Sequence, residues 1–156
     1  MQVHALEMDD FCEEEYSLIG IHSTLEDYKL AYLLNKNLNT RFYKAKENLE
    51  FVIEEKKASF SIYNYENKEY DYDWFLIANS YRRENQTAAN QLLLTLETKT
   101  YLIPEKKKVD FFLKICGDLE YEFVLKTINS IKNIDNVITA FSIDKNTLKS
   151  KDFLIF

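Results

Sequence analysis

Hydrophobic and polar residues alternate along this chain with two different periods. Between residues 25 and 38 the apolar positions recur every three or four residues, the period of an α-helix with one buried face. These positions are Leu30, Leu33, Leu34 and Leu38. Ser23 and Glu26 have the spacing of a capping box, in which each side chain satisfies a backbone N–H at the start of a helix. We therefore predict a helix over Leu25–Leu38 that begins at this box.

Short runs with a period of two predict strands around this helix. The runs are Tyr16–Ile21, Leu49–Ile53, Ser59–Tyr65 and Tyr70–Ala78. Residues 83–90 are polar and are predicted to form a loop, and residues 91–97 are predicted to form a strand. The first 15 residues show neither pattern, so we expect them to be loosely ordered.

The last third of the chain has the clearest pattern. Apolar side chains at every second position predict a strand with one buried face: Val109, Phe111, Leu113 and Ile115. Gly117 ends this strand, and Asp118 is a suitable N-cap for the helix that follows. That helix has an apolar face of Tyr121, Val124, Leu125, Ile128 and Ile131. Val137–Ile143 predicts a further strand and completes a β-α-β unit.

These elements predict a single α+β domain over residues 1–156. A strand, a helix and a second strand occur near each end of the chain, so we expect β-α-β units at both ends. The expected architecture is a mostly antiparallel sheet with two helices packed on one face. The order of the elements suggests a ferredoxin-like topology. A chain of this length can bury a core without disulfides or metals.

The only proline of the chain lies in the segment Ile103-Pro104-Glu105-Lys106-Lys107-Lys108-Val109-Asp110-Phe111. Proline cannot donate to a β-ladder, so we predict that Pro104 ends one segment and leads the chain into the next strand. A recognition or catalytic loop that contains Glu105 and Asp110 is the alternative.

This segment resembles the motif of the IPExxxVDY family of small bacterial proteins, whose function is unknown. The residues that match the motif are Ile103, Pro104, Glu105, Val109 and Asp110. Phe111 stands where the family has tyrosine, which indicates that this position acts by packing. The resemblance implies a bacterial protein but no particular activity.

Charge and composition exclude several classes of function. The net charge of −6 opposes binding to nucleic acid and to anionic membranes. No apolar run reaches the length of about 18 residues that a membrane helix needs, and the acidic N-terminus lacks the features of a secretory signal. Cys12 and Cys116 are expected to be free thiols in a reducing cytosol, with a disulfide between them as the alternative. Together these features predict a cytoplasmic protein.

The sequence contains few groups that could perform catalysis. With two glycines there is no glycine-rich phosphate loop, and two histidines with two separated cysteines are too few for a conventional zinc site. We expect neither a cofactor nor a metal. His22 is a weak candidate for a general base, with Asp27 or Asp110 as its partner. The alternative is a half-exposed histidine at the end of a strand.

An aromatic hairpin is the best candidate for a partner surface. A turn centred on residues 67 and 68 would pair Tyr65 with Tyr70, Tyr63 with Tyr72, and Ser61 with Trp74, which places all five aromatic rings on one face. Such rings are favoured at protein interfaces. The alternative is an ordinary sheet face packed against the helices.

The apolar end of the chain is a second candidate surface. Residues 153–156 are Phe-Leu-Ile-Phe, and we predict that they form a last strand docked on the sheet of their own chain. The alternative is a strand that pairs with a second copy or inserts into a partner.

The sequence as a whole favours a non-enzymatic cytoplasmic protein-interaction domain, which binds an unidentified protein partner or itself as a homodimer. A small-molecule-binding or sensor domain with its site near His22 is the alternative. A cofactor-independent enzyme that uses His22 is the weakest of the three hypotheses.

Overall fold

The described part of the chain folds into antiparallel strands and two α-helices. A computed structural model describes residues 15–67, 69, 72–85 and 96–156. In these parts of the chain the strands are β1 (Tyr16–Ser23), β2 (Tyr43–Lys44), β3 (Leu49–Ile53), β4 (Lys56–Phe60), β5 (Ile62–Asn67), β6 (Tyr72–Ala78), β7 (Ser80–Asn85), β8 (Leu96–Tyr101), β9 (Phe111–Cys116) and β10 (Val137–Ile143). The α-helices are α1 (Asp27–Leu38) and α2 (Tyr121–Lys132). Short 3-10 turns span Pro104–Lys106, Lys145–Thr147 and Lys151–Leu154.

Six strands form the main sheet, in the order β10-β1-β9-β6-β5-β2, and every neighbouring pair is antiparallel. The pairs β3–β4 and β7–β8 form separate hairpins. β9 and β10 both run antiparallel to β1, so they are parallel to each other, as a β-α-β unit requires. The strand over Leu49–Ile53 lies outside the main sheet, whereas β2 and β6 are the strands after α1 that run parallel to β1. The α+β class is confirmed, and the ferredoxin-like topology stays a prediction.

The main sheet is buried on both faces. One face packs against both helices, as predicted. The helix residues in this core are Leu30, Ala31 and Leu34 of α1 and Val124, Ile128 and Ile131 of α2. The other face is covered by the β3–β4 hairpin, the turn at Pro104 and the end of the chain, which contribute Ala58, Phe60, Leu102, Ile103, Leu148 and Leu154. The molecule therefore has a second core.

β9 shows the consequence of this second core. The predicted strand had one buried face, but all six residues of β9 are buried. Phe112 and Lys114, which the alternation placed on the less apolar face, are both 0% exposed. Val109 lies before the strand and packs in the second core, not on the helix face with Phe111. An alternating pattern identifies one buried face of a strand but does not reveal a layer that covers the other.

Both predicted helix caps are wrong. α1 begins at Asp27 with Glu26 at its N-cap, and no side chain caps it. Ser23 is instead the last residue of β1. Its Oγ accepts from the Leu25 N–H at 3.1 Å and donates to the Asn136 carbonyl at 2.9 Å. α2 likewise begins two residues later than an N-cap at Asp118 implies.

The run Ser59–Tyr65 was predicted as one strand, and the structure divides it at Ser61. β4 ends before Ser61 and pairs with β3, whereas β5 begins after it and pairs with β6.

The first 14 residues, Tyr70 and residues 86–95 lie outside the described residues, as do the predictions that fall on them.

Cys116 is disulfide-bonded, and the prediction of a free thiol is wrong at this position. The only other cysteine of the sequence is Cys12, which lies outside the described residues.

No helix in the described ranges is long and apolar enough to cross a membrane.

Candidate functional site

The aromatic hairpin of β5 and β6 has a different register from the predicted one. Tyr65 pairs with Trp74, Tyr63 with Leu76, and Tyr72 with Asn67. This is a shift of four residues, and an even shift leaves every side chain on its predicted face. That face is turned towards the helices: Tyr63 is 9% exposed and Trp74 is 5% exposed. These two rings therefore belong to the core and do not form a flat exposed surface.

At one end of this face the sheet and the helices separate and leave an open cavity of about 770 Å³. We call it the aromatic groove. It is bounded by the end of α1, the ends of β5 and β6, and the first turns of α2. Its aromatic lining residues are Tyr65, Tyr72, Trp74 and Phe123, and its polar ones include Asn37, Asn39, Thr40, Asn67, Thr127 and Ser130. Volumes of this size suit small molecules.

The aromatic rings hold one another in place. The ring centroid of Trp74 lies 6.0 Å from that of Tyr65 and 6.1 Å from that of Phe123, and the Phe123 ring is nearly perpendicular to the indole. Phe42 packs behind them, with its centroid 5.7 Å from Tyr65. Edge-to-face contacts at these distances are favourable and orient the rings. The aromatic part of the groove is therefore preformed.

Two local features set the shape of the walls. After α1 the chain reverses at Asn39, whose φ of 55° is left-handed. Asn35 fixes this reversal, because its Oδ1 accepts from the Phe42 N–H at 2.7 Å and from the Thr40 hydroxyl at 3.0 Å. On the opposite wall Gly117 has a φ of 120°, and an added Cβ there would lie 2.6 Å from Cδ1 of Tyr72. Glycine thus allows the Tyr72 ring to pack directly on the backbone.

The groove contains a buried donor without a partner. Nε1 of Trp74 is inaccessible to solvent and has no hydrogen-bond partner within the described parts of the chain. An unsatisfied buried N–H costs about 1–3 kcal/mol, so native proteins seldom leave one. Because no water-sized atom reaches this N–H, an acceptor in the groove would bond to it only after the indole or its neighbours move.

His22 and Asp110 are brought together, as one of the two predicted pairings required. His22 Nδ1 lies 2.5 Å from Asp110 Oδ2, and the same oxygen accepts from the Ser23 N–H at 2.9 Å. The side chains are 41% and 31% exposed. A carboxylate that orients a histidine is one part of a catalytic dyad. Neither residue lines the aromatic groove, however, and a catalytic role for His22 stays a prediction.

Asp27, the other predicted partner of His22, lies elsewhere. It is beside Tyr63, and burial together with the Asp27 carboxylate raises the pKa of that phenol. The structure thus assigns Asp27 to the contact between α1 and the sheet.

The motif segment contributes mainly to packing and to chain connections. Ile103 and Val109 are buried, Pro104 begins a turn between β8 and β9, and Phe111 is 6% exposed, which fits a packing role. Glu105 Oε2 accepts from the backbone N–H groups of Lys149 and Ser150 at 2.9 and 3.1 Å. Glu105 and Asp110 therefore bind different partners and do not form one site.

Asn79 anchors this segment and was not identified from the sequence. It is 0% exposed. Its Nδ2 donates to the carbonyls of Lys106 and Val109 at 2.9 and 2.8 Å, and its Oδ1 accepts from the Ile103 N–H at 2.8 Å. An asparagine at the end of a strand carries no sequence signal that distinguishes it from a turn residue.

Phe123 lines the groove and was also not identified from the sequence, because it lies outside the predicted apolar stripe of α2.

Over the described ranges, no group of three or more His, Cys, Asp or Glu side chains could hold a metal ion.

Comparison with protein-family models gives no match, and no curated protein shows significant similarity to the chain. The resemblance to the IPExxxVDY family stays a prediction.

Proposed function

We propose that this chain is a non-enzymatic binding domain that takes a small amphipathic molecule into the aromatic groove. The observation that carries the proposal is the open cavity of about 770 Å³, whose wall is built from aromatic rings packed against one another. Binding pockets typically combine an apolar lining with a few polar groups that fix the orientation of the ligand. The groove has this composition, whereas the contact that His22 makes within the described residues is a histidine–carboxylate pair. The site is therefore displaced from the position near His22 that the sequence suggested.

Trp74 is the only tryptophan of the chain, so its fluorescence reports on the groove alone. We expect the Trp74 emission to change in a saturable way when members of a library of amphipathic small molecules bind. Phe123→Ala removes one wall and should weaken binding of the hits at least about tenfold, since an aromatic contact with its buried area is worth more than about 1.4 kcal/mol.

Tyr121→Ala is the matched control, because Tyr121 lies on the same helix, is 75% exposed and does not line the groove. The proposal is wrong if no library member changes the emission, or if both variants weaken binding equally.

Self-association through β10 is a second candidate function, and it keeps the predicted protein-interaction role. Among the described residues β10 is an edge of the main sheet. It contains neither proline nor a charged residue, and it exposes Ile138 by 59% and Phe141 by 37%. Edge strands usually carry charges or proline that prevent pairing with other chains. An antiparallel β10–β10 contact between two copies would continue the sheet.

Sedimentation velocity tests this second candidate. We expect a concentration-dependent dimer that Ile138→Lys abolishes, while Val52→Lys does not, because Val52 is 69% exposed on β3 outside the main sheet. A monomer at all concentrations, or equal effects of the two substitutions, rejects the candidate.

A cytoplasmic location stays a prediction, and the disulfide at Cys116 is the observation against it, because disulfides persist mainly in oxidising compartments. Alkylation of thiols in intact cells, followed by a mass-shift assay, distinguishes the cytoplasm from an oxidising compartment. A free Cys116 supports the cytoplasm, and a blocked one supports an oxidising compartment.

A further inference from the structure

The charges around the aromatic groove are unbalanced. Glu69, Asp118 and Glu120 line it with three carboxylates, and Lys126 supplies one ammonium group. The chain as a whole is also acidic, at −6. An anionic ligand would meet this field unfavourably, while a cationic one would be attracted to it.

The start of α2 would ordinarily favour an anion, since helix N-termini carry a partial positive charge. In this molecule no side chain caps the helix, but Asp118 and Glu120 lie just before it and line the groove, so their negative charges offset its partial positive charge. The helix end therefore does not counteract the preference for a cation.

The aromatic rings add to this preference. Their faces attract ammonium groups at up to about 6 Å from the centroid. The molecule uses such contacts elsewhere: Nζ of Lys114 lies 4.7 Å from the Tyr16 centroid and 4.4 Å from that of Phe156. In the groove, Tyr65, Tyr72 and Phe123 offer rings beside carboxylates.

The unpartnered Trp74 N–H adds a separate requirement. It is a donor only and is buried behind the groove surface, so a ligand that carries an oxygen or nitrogen acceptor would bond to it once the wall shifts. From these observations we infer that the groove selects a cationic amphipathic amine: an ammonium group joined to an apolar ring or chain that bears a hydrogen-bond acceptor. This inference rests on the proposed function, because it names the ligand class of the same groove.

A matched series of three probes tests the inference. Tyramine, tyrosol and 4-hydroxyphenylacetate share a phenol ring with an acceptor oxygen, and their side chains end in an ammonium, a hydroxyl and a carboxylate. Isothermal titration calorimetry with the full chain should show tyramine binding about tenfold tighter than tyrosol, with 4-hydroxyphenylacetate weakest. The advantage of tyramine should shrink as the salt concentration rises.

Charge variants show which carboxylates cause the tighter binding of tyramine. The double variant Asp118→Asn/Glu120→Gln should weaken tyramine binding roughly threefold to tenfold and weaken tyrosol binding less, since each exposed charge contributes modestly. Glu122→Gln is the control, because Glu122 is an exposed acid of the same helix that does not line the groove.

The outcomes separate this inference from the proposed function. If tyrosol or 4-hydroxyphenylacetate binds as tightly as tyramine, and Phe123→Ala weakens that binding, the groove is a binding site but the preference for a cation is wrong. If tyramine does not bind, the cationic class is rejected, and the wider fluorescence screen decides on the groove itself. Equal effects of the double variant and of Glu122→Gln also contradict the inference.

Discussion

Individual polar residues hold the distant segments of this molecule together. Asn79 joins the end of β6 to the turn at Pro104 and to the segment before β9, while Asp110 joins that segment to the end of β1. The sequence offered Asp110 as one of two alternative partners for His22, because carboxylates were the residues that could orient this histidine. It could not identify Asn79 or the unpartnered Trp74 N–H, because hydrogen-bond partners 20 or more residues away are set by the fold.

Replacing Asn79 should be strongly destabilising. Asn79→Ala removes three hydrogen bonds, two of them buried, and leaves backbone groups of Ile103 and Val109 unsatisfied, so we expect a loss of about 3 kcal/mol in the free energy of unfolding. Urea denaturation with an unchanged slope measures this loss. The control is Asn64→Ala, since Asn64 Oδ1 is buried and has no partner among the described residues. A smaller loss for Asn79→Ala than for Asn64→Ala would contradict the account.

Glu105 should make stability depend on pH. Burial is the largest single influence and raises its pKa, but the hydrogen bonds from the Ser150 hydroxyl and from the backbone around Lys149 together outweigh it and lower the pKa below 4.5. Because the folded value lies below the unfolded one, the stabilisation is complete above about pH 4.5 and is lost as the pH falls through the folded pKa.

We therefore expect Glu105→Gln to destabilise the protein at neutral pH by about 0.5–1 kcal/mol, a small value because the side chain is exposed. The difference from the unsubstituted protein should vanish in strong acid. Urea unfolding across pH 3 to 7 measures it, and a difference that grows towards acid would contradict the assignment.

At the scale of elements, sequence patterns predicted which segments are helical or extended but not how they begin and pair. β3 and β10 have their predicted bounds. The capping box failed because Ser23 is held in β1 by a tertiary contact with Asn136, which local spacing does not reveal. The division at Ser61 was missed because residues on both sides favour strands and only their partners differ.

The end of the chain is docked on its own molecule, but as a 3-10 turn and not as the predicted strand. Leu154 is 0% exposed, and the Phe153 and Phe156 rings pack on Phe51 and Phe75 at 4.8 and 5.1 Å. The Leu154 carbonyl also accepts from Lys114 Nζ. The segment closes the second core.

Truncating Leu154 should therefore affect folding. Leu154→Ala should cost about 2–5 kcal/mol, the range for buried leucines. Ile155→Ala should cost less than about 1 kcal/mol, because the neighbouring Ile155 is 42% exposed. Thermal and urea unfolding of the two variants measure these losses in the free energy of unfolding. If Leu154→Ala were neutral for folding and instead abolished a dimer, the intersubunit alternative would be correct.

Gly117 directly follows β9, and its backbone packs against the Tyr72 ring in the groove wall. Gly117→Ala should cost at least about 2 kcal/mol, because it combines a left-handed φ with a contact against Tyr72. Adding Tyr72→Ala should relieve the contact but not the backbone strain, so we expect it to restore only part of the stability. Complete restoration, or no initial loss, would contradict this explanation.

For the whole molecule, the sequence predicted the α+β class and the placement of both helices on one face. It did not predict the second layer, because the hairpins and turns that form it are short and irregular. The groove was even less accessible to sequence reasoning: Thr40, Asn67 and Phe123 meet only through the packing of three separate elements. The aromatic hairpin was the part of the site that the sequence did indicate.

The measurement that tests the central claim most directly is amide NMR of the labelled chain with pools of cationic, neutral and anionic amphipathic fragments. The single indole N–H signal belongs to Trp74. We expect this signal to shift together with the amides of Asn39, Thr40 and Leu119 as a fragment binds. If fragments leave the Trp74 signal unchanged, or if the shifts cluster at His22 and Asp110, the aromatic groove is not the functional site of this protein.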